Sequence, residues 1–401
     1  MKKGFSFVLI LALLVTTAVF AQKDPGAEKL MELFTVEDSQ VVDLFDESFL
    51  AQVPVQQLVL ILKQYKSVLG DLIEVSGTSG NYTLIFSRGT APSQIYLNDE
   101  GKIIGLWFGQ WNLSPTDDDL SGLLEEFKAL EGKVSVAVIR NNEEEVFLYN
   151  AEERLAVGSS FKLYVLKAVY EAVEKGELDF DTVVLLKKKD RSIPSGILQD
   201  WPAGTPVTVK TLTNLMISIS DNTATDNLIG LVGREKVEGL ANERNIPFLK
   251  TNELFKLKYA ADSGLQEKYL KGSIEEKRDV LPALADLKVN VSDIVTSPLL
   301  INELEWFFST RELCSIIYEL RDADELRINP GLADSEEWYL AAYKGGSEPG
   351  VLQYTHLLQK EAGGDFYAVS ATINNPDKEV DQLKFAELCS RLIMLIRDGK
   401  I

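Results

Sequence analysis

The chain is poor in the side chains that many hydrolases recruit as ligands or bases: it holds one histidine, His356, and two cysteines, Cys314 and Cys389, in 401 residues. With no Cys-x-x-Cys and no His-Glu-x-x-His spacing, a zinc site has nothing to build on, and neither metal nor cofactor is expected. Ser-His-Asp chemistry would have to recruit His356, on a strand-like run after Gly345-Gly346, and is not expected either. Each cysteine sits in an apolar helical context, Leu313-Cys314-Ser315-Ile316-Ile317 and Leu388-Cys389-Ser390-Arg391-Leu392, so buried free thiols are expected rather than a disulfide.

Positive charge is also scarce. Lysine and arginine number 41 against 61 acidic residues, a formal charge of −20, which argues against nucleic acid or an anionic membrane as partner; the acidity reads as solvated surface. After residue 21 no run is long and apolar enough to span a bilayer, so no transmembrane anchor is expected. The first 21 residues are different. Lys2 and Lys3 precede an apolar run from Phe5 to Phe20, and Val19-Phe20-Ala21 suits cleavage, so residues 1–21 read as a signal peptide and the protein as periplasmic or secreted.

The remaining length suggests two domains. Residues 22–112 read as a small α+β domain, with a helix over Val53 to Leu69 and then short β-rich runs, Asp71 to Ser76, Tyr82 to Ser87, Gln94 to Leu97 and Ile103 to Trp111. A helix on a curved antiparallel sheet is the simplest packing, and the order resembles cystatin-like or nuclear-transport-factor-2-like (NTF2-like) domains in pattern alone. Trp107, Phe108 and Trp111 could line a ligand pocket, but aromatic residues on a terminal strand more often serve a core or a domain interface. Asn112 to Asp119, with Pro115 and three aspartates, reads as a linker, and residues 113–401 as the second domain.

Gly158-Ser159-Ser160-Phe161-Lys162 is the most chemical stretch of that second domain. Residues three apart share a helix face, so the Lys162 amine can reach back to the Ser159 hydroxyl: a nucleophile beside a base. The free N–H groups of a helix start favour negative charge developing on an attacked carbonyl. The helix that follows is apolar on most sides, which puts Lys162 in a low-dielectric place where its pKa falls toward a useful base. A capping serine beside a snorkelling lysine would have the same letters. About sixty residues on, Ser220-Asp221-Asn222 supplies a hydroxyl for proton relay and an amide to orient a substrate or the lysine.

Ser159-x-x-Lys162 followed by Ser220-Asp221-Asn222 resembles the penicillin-recognising serine hydrolases, the class A β-lactamases and penicillin-binding proteins. The resemblance covers about Leu120 to Ile401. It implies a third element, a Lys-Thr-Gly or Lys-Ser-Gly triplet, matched here by Lys344-Gly345-Gly346-Ser347, in which the middle hydroxyl is missing. By resemblance Lys344 holds a substrate carboxylate and depresses Lys162, while the N–H of Ser347 joins that of Ser159 in an oxyanion hole beside Gly346. A purely structural reading of the same letters is a glycine turn between hairpin strands. The Glu-x-x-Leu-Asn that activates the deacylating water in class A β-lactamases has no clear match: Glu253 has the right separation, which leaves it a possible deacylation base, but lacks the asparagine, Glu325 has the letters but lies too close to Lys344, and either reads more readily as a surface helix residue.

The expected fold class is therefore α+β, an antiparallel sheet flanked by helices plus an all-helical lobe, β-lactamase/transpeptidase-like, behind a small α+β domain. That layout is similar to two-domain proteins of clavulanate biosynthesis clusters. The expected function is an exported serine hydrolase working through a Ser159 acyl-enzyme, with Lys162 as base, Ser220 as proton relay, and Asn222, Lys344, Gly346 and Ser347 about the substrate. A small molecule or peptide is the partner: a β-lactam, a peptidoglycan peptide or an ester. The competing class is a sensor or sequestering protein that acylates slowly or not at all, favoured by Gly345 and by the missing glutamate.

Overall fold

The structure, a computed structural model, describes residues 24–109, 111–114 and 118–401; the expected signal peptide and the middle of the expected linker lie outside these. The chain divides into two compact units between Leu113 and Ser114.

The first unit is a helix-backed antiparallel meander. Strands Leu72–Thr78, Asn81–Phe86, Gly89–Leu97 and Ile103–Phe108 pair in sequence order, and their alternate residues Tyr82, Leu84 and Phe86 enter the core. Helix Val55–Leu69 contributes Leu58, Leu62, Tyr65 and Leu69 to that core, a spacing of three and four that keeps them on one face. A second helix, Pro25–Thr35, is not among the expected elements; Asp24 caps it, accepting from the N–H groups of Gly26 and Ala27. Asn112–Leu113, expected in the linker, instead pairs with Gly89–Thr90 as a short strand. Phe108 and Trp111 pack on Tyr65, at 5.0 and 5.1 Å between ring centroids, and with Trp107 they line an apolar cavity of about 450 Å³ within this unit.

The second unit is built on a five-stranded antiparallel sheet in the order Leu340–Glu348, Val351–Gln359, Phe366–Asn374, Lys133–Arg140, Glu144–Tyr149. The period-two rule divides its side chains between two cores. Val134, Val136 and Val138 face one side, where helices Leu120–Lys128 and Gln382–Arg397 bring Phe127, Phe385, Leu388 and Leu392. Ala137 and Ile139 face the other, which is continuous with the helical lobe through Phe161, Val165, Leu212, Leu228 and Phe248. The two cysteines are free and buried, Cys314 in the lobe-side core and Cys389 on the opposite side of the sheet.

Of the two readings of Gly345-Gly346, the glycine turn is not the one formed: they lie inside the edge strand, paired with Tyr354 and Gln353, and the chain reverses at Pro349-Gly350, where Gly350 has φ +78°. One expectation needs correction. Glu325 is not a surface residue: it is fully buried and receives hydrogen bonds from Tyr170 (2.7 Å) and Thr213 (2.7 Å), beside Lys210 at 2.9 Å.

Phe385 is fully buried between Phe127 and Tyr354, with centroids at 6.1 and 6.0 Å. Phe385→Ala is expected to destabilise the second unit by about 3–5 kcal/mol, seen as a lower urea midpoint with an unchanged slope.

Candidate active site

The site forms where the lobe meets the edge strand. Gly158–Phe161 is a 3₁₀ turn and Lys162 is the first residue of the α-helix Lys162–Glu174. In a 3₁₀ turn residues i and i+3 eclipse, which stacks Lys162 under Ser159 more directly than an α-helix would. Phe161 anchors the turn by stacking on Trp306 at 3.7 Å between centroids, and the N–H of Val157 donates to the Trp306 carbonyl at 3.0 Å. From behind, the Ser160 hydroxyl donates to Gln353, whose amide donates in turn to Thr355 and Ser370 at 2.5 and 3.1 Å. Buried polar groups satisfied in this way fix one arrangement of the backbone that carries Ser159.

Lys162 has no solvent exposure. Its Nζ lies 3.2 Å from Ser159 Oγ, 2.6 Å from the Ser220 carbonyl oxygen, 2.9 Å from Ser220 Oγ and 2.7 Å from Asn222 Oδ1. All four are uncharged oxygens. Burial, and then the charge of Lys344, hold its pKa well below the usual lysine value. The neutral amine has two N–H bonds and one lone pair. The Ser220 carbonyl and the Asn222 amide oxygen can only accept, so they take the two N–H bonds and leave the lone pair for the hydroxyl proton of Ser159.

Ser220 joins two helices, Val209–Ser218 and Asn222–Val232, with φ +58°, a conformation uncommon for a non-glycine residue. The turn is held from below. Asp221 caps the second helix through the N–H of Ala224 at 2.7 Å and also accepts from Ile197 and Leu198 at 2.7 and 2.9 Å. The Asn222 amide nitrogen donates to the Ile193 carbonyl at 3.0 Å, which turns its oxygen toward Lys162. Lys344 reaches the same hydroxyl from the strand side, at 3.2 Å from Ser220 Oγ, and burial lowers its pKa to about 7. Ser220 Oγ thus bridges two depressed lysines and can pass a proton between them.

Gly346 and Gly158 make the strand and the Ser159 turn fit. A Cβ at Gly346 would come within 2.1 Å of the Val157 oxygen and 2.5 Å of the Ser159 nitrogen, and one at Gly158, where φ is +48°, within 2.9 Å of the Ser347 nitrogen. The pair Glu348/Val351 closes the two-residue turn, so the alternation of ladder bonds turns the Ser347 N–H outward from the sheet edge, toward the Ser159 turn. The cleft between these walls has a volume of about 570 Å³, and Ser159, Ser220, Asn222, Lys344, Gly346 and Ser347 all line it.

Glu253 is not among them. It caps its own helix by accepting from the Lys250 N–H at 2.8 Å and is bound to Arg234 at 2.6 Å, so its carboxylate is held as part of the lobe's framework rather than as the surface helix residue expected. Thr251, two residues earlier, lines the cleft instead. His356 is buried, its Nε2 accepting from the Leu332 N–H at 3.0 Å, with its pKa pushed down to about 3 by burial; it belongs to the far side of the strand. Glu348 also lines the cleft, a residue that motif reasoning passed over because it falls just outside the matched triplet.

Comparison with known proteins bears on residues 116–283, which match the model described as the β-lactamase enzyme family; that span holds Ser159, Lys162, Ser220 and Asn222 but ends before Lys344 and leaves the first unit unmatched. The β-lactamase VEB-1 of Pseudomonas aeruginosa is 27% identical over 135 residues, 33% of this chain, and the chain spans 45% of the length of that relative. Among solved structures, the β-lactamase from Sphaerobacter thermophilus DSM 20745 aligns over 71% of this chain and 99% of its own at 22% identity and a TM-score of 0.48. PBP-A aligns over 71% and 98% at 15% identity and a TM-score of 0.47.

If the charge of Lys344 helps to keep Lys162 neutral, Lys344→Ala removes a cation and the Lys162 amine holds its proton to higher pH. NMR of lysine side chains labelled at Cε is expected to show Lys162 titrating at a higher pH in the variant than in the wild type.

Proposed function

We propose that this chain, which over residues 116–283 is of the β-lactamase enzyme family, is an exported serine hydrolase that forms an acyl-enzyme on Ser159. The observation that carries this reading is the buried Lys162 amine, 3.2 Å from Ser159 Oγ and surrounded by uncharged oxygens. Neutral Lys162 takes the hydroxyl proton as Oγ bonds to the substrate carbonyl carbon. The N–H groups of Ser159 and Ser347 hold the oxyanion. The proton then passes through Ser220 to the leaving-group atom, the carbonyl re-forms as the bond from its carbon to that atom breaks, and the acyl group stays on Ser159.

The substrate is a small acyl compound carrying a carboxylate: a β-lactam, a peptidoglycan peptide or an ester. The cleft volume of about 570 Å³ suits a molecule of that size, and Lys344 and Asn222 offer a cation and an amide to position it. Gly345 puts no hydroxyl beside Lys344, and the side chain of Ser347 can supply that hydrogen bond. Export rests on the leader-like residues 1–21, and no described helix is long and apolar enough to cross a membrane.

Exposure of the mature protein to a labelled penicillin and to an activated ester, followed by intact mass, is expected to show one acyl adduct, stable or transient, that Ser159→Ala does not form. Failure of both reagents to modify the wild type counts against acyl transfer and favours a ligand-binding role.

A further inference from the structure

An acyl group esterified to Ser159 leaves only if a water molecule is deprotonated beside it. Among the described residues that line the cleft, Glu348 is the one carboxylic acid. The other acids near the nucleophile are engaged elsewhere. Asp221 accepts from three backbone N–H groups, Asp226 accepts from the N–H groups of Thr251 and Asn252 at 2.6 and 2.9 Å, and Glu253 is bound to Arg234. Glu348 follows Ser347 at the end of the edge strand, so it borders the same cleft end as the oxyanion-facing N–H.

Its surroundings leave it only partly neutralised. Lys258, itself buried, is bound to the buried Glu305 and stands 3.9 Å from Glu348 Oε2. One lysine serves two carboxylates, and Glu305 Oε2 has no hydrogen-bond partner among the described residues. Burial raises the Glu348 carboxyl to about 7 against the pull of Lys258, and the charge of Glu305 adds to the rise. The charged and titratable groups facing it are therefore Lys258 and Tyr259 from the Thr251–Tyr259 helix, Glu305 from the segment before Trp306, and Lys162 from the nucleophile helix.

We propose that Glu348 is the general base that activates the hydrolytic water, a role that rests on the Ser159 acyl-enzyme proposed above. The water loses a proton to the Glu348 carboxylate as its oxygen bonds to the ester carbonyl carbon. The oxyanion then re-forms the C=O bond, the bond from that carbon to Ser159 Oγ breaks, and Oγ recovers the proton from Glu348. Free carboxylic acid leaves, with Ser159 and the Glu348 carboxylate restored. The base thus comes from the strand wall, where the family resemblance places it on a loop of the lobe.

The test follows one acylating reagent, a penicillin or activated ester, by intact mass and product release. Glu348→Gln is expected to form the adduct and to clear it about 100-fold more slowly or worse, with Glu348→Asp partly restoring clearance. Wild-type clearance is expected to rise with pH through about 7, because the carboxyl must lose its proton to act, and this rise is expected to vanish in Glu348→Gln. Glu305→Gln leaves Glu348 in place but gives it sole use of Lys258, and is expected to move that rise to lower pH. Clearance by Glu348→Gln at the wild-type rate, a wild-type adduct that never clears, or no displacement of the pH limb in Glu305→Gln would each overturn the role of Glu348 while leaving the acyl-enzyme intact. Absence of any wild-type adduct would instead overturn the acyl-enzyme, and the role of Glu348 with it.

Discussion

A lysine amine buried with no carboxylate partner among the described residues is the constraint on which the second unit's proposed chemistry depends. Lys162 is surrounded by uncharged oxygens, with no exposure and a second lysine bonded to the same hydroxyl. An ammonium there would lose most of its hydration with only dipoles in return, so the neutral amine is favoured, and a neutral amine next to a hydroxyl is a base. The arrangement is unfavourable for folding relative to an apolar side chain at the same place. The surrounding structure offsets that: Asp221 ties the Ser220 turn to the 192–200 loop, and Asn222 is held between Ile193 and Lys162.

The same logic reaches the sheet. The Ser159 turn can sit against the edge strand only because Gly158 and Gly346 remove two side chains from a contact that is backbone against backbone. Behind it, Ser160, Gln353, Thr355 and Ser370 form a buried polar chain that locks the turn to the two strands next to the edge. The edge strand also leaves outward-facing N–H groups without a sheet neighbour, which an interior strand could not offer. A serine at the end of the lobe, a lysine beneath it and an edge N–H in front therefore depend on one another's placement.

Features set within a few residues were legible in the sequence. The paired strands follow from short β-rich runs separated by turn residues, and Ser159, Lys162, Ser220 and Asn222 stand out because each pair lies within one turn of chain. Features decided by contacts distant in sequence were not. Gly345-Gly346 reads as a turn until the approach of Val157 and Ser159 gives a reason for small residues inside a strand. Glu325 reads as a surface acid because Lys210, Tyr170 and Thr213 are far from it in the chain. Glu253 and Glu348 are distinguished by their partners, Arg234 for one and a lysine shared with Glu305 for the other, and no local pattern encodes that difference.

The claim that neutral Lys162 is the base for Ser159 is tested most directly by the pH dependence of the acylation rate, measured as the burst with an activated ester. The account predicts a rise to a plateau whose midpoint lies well below the ordinary lysine value of about 10.4, with the plateau abolished in Lys162→Met. A rate that climbs in proportion to hydroxide through that range with no plateau, or a Lys162→Met variant that keeps the wild-type profile, would contradict it.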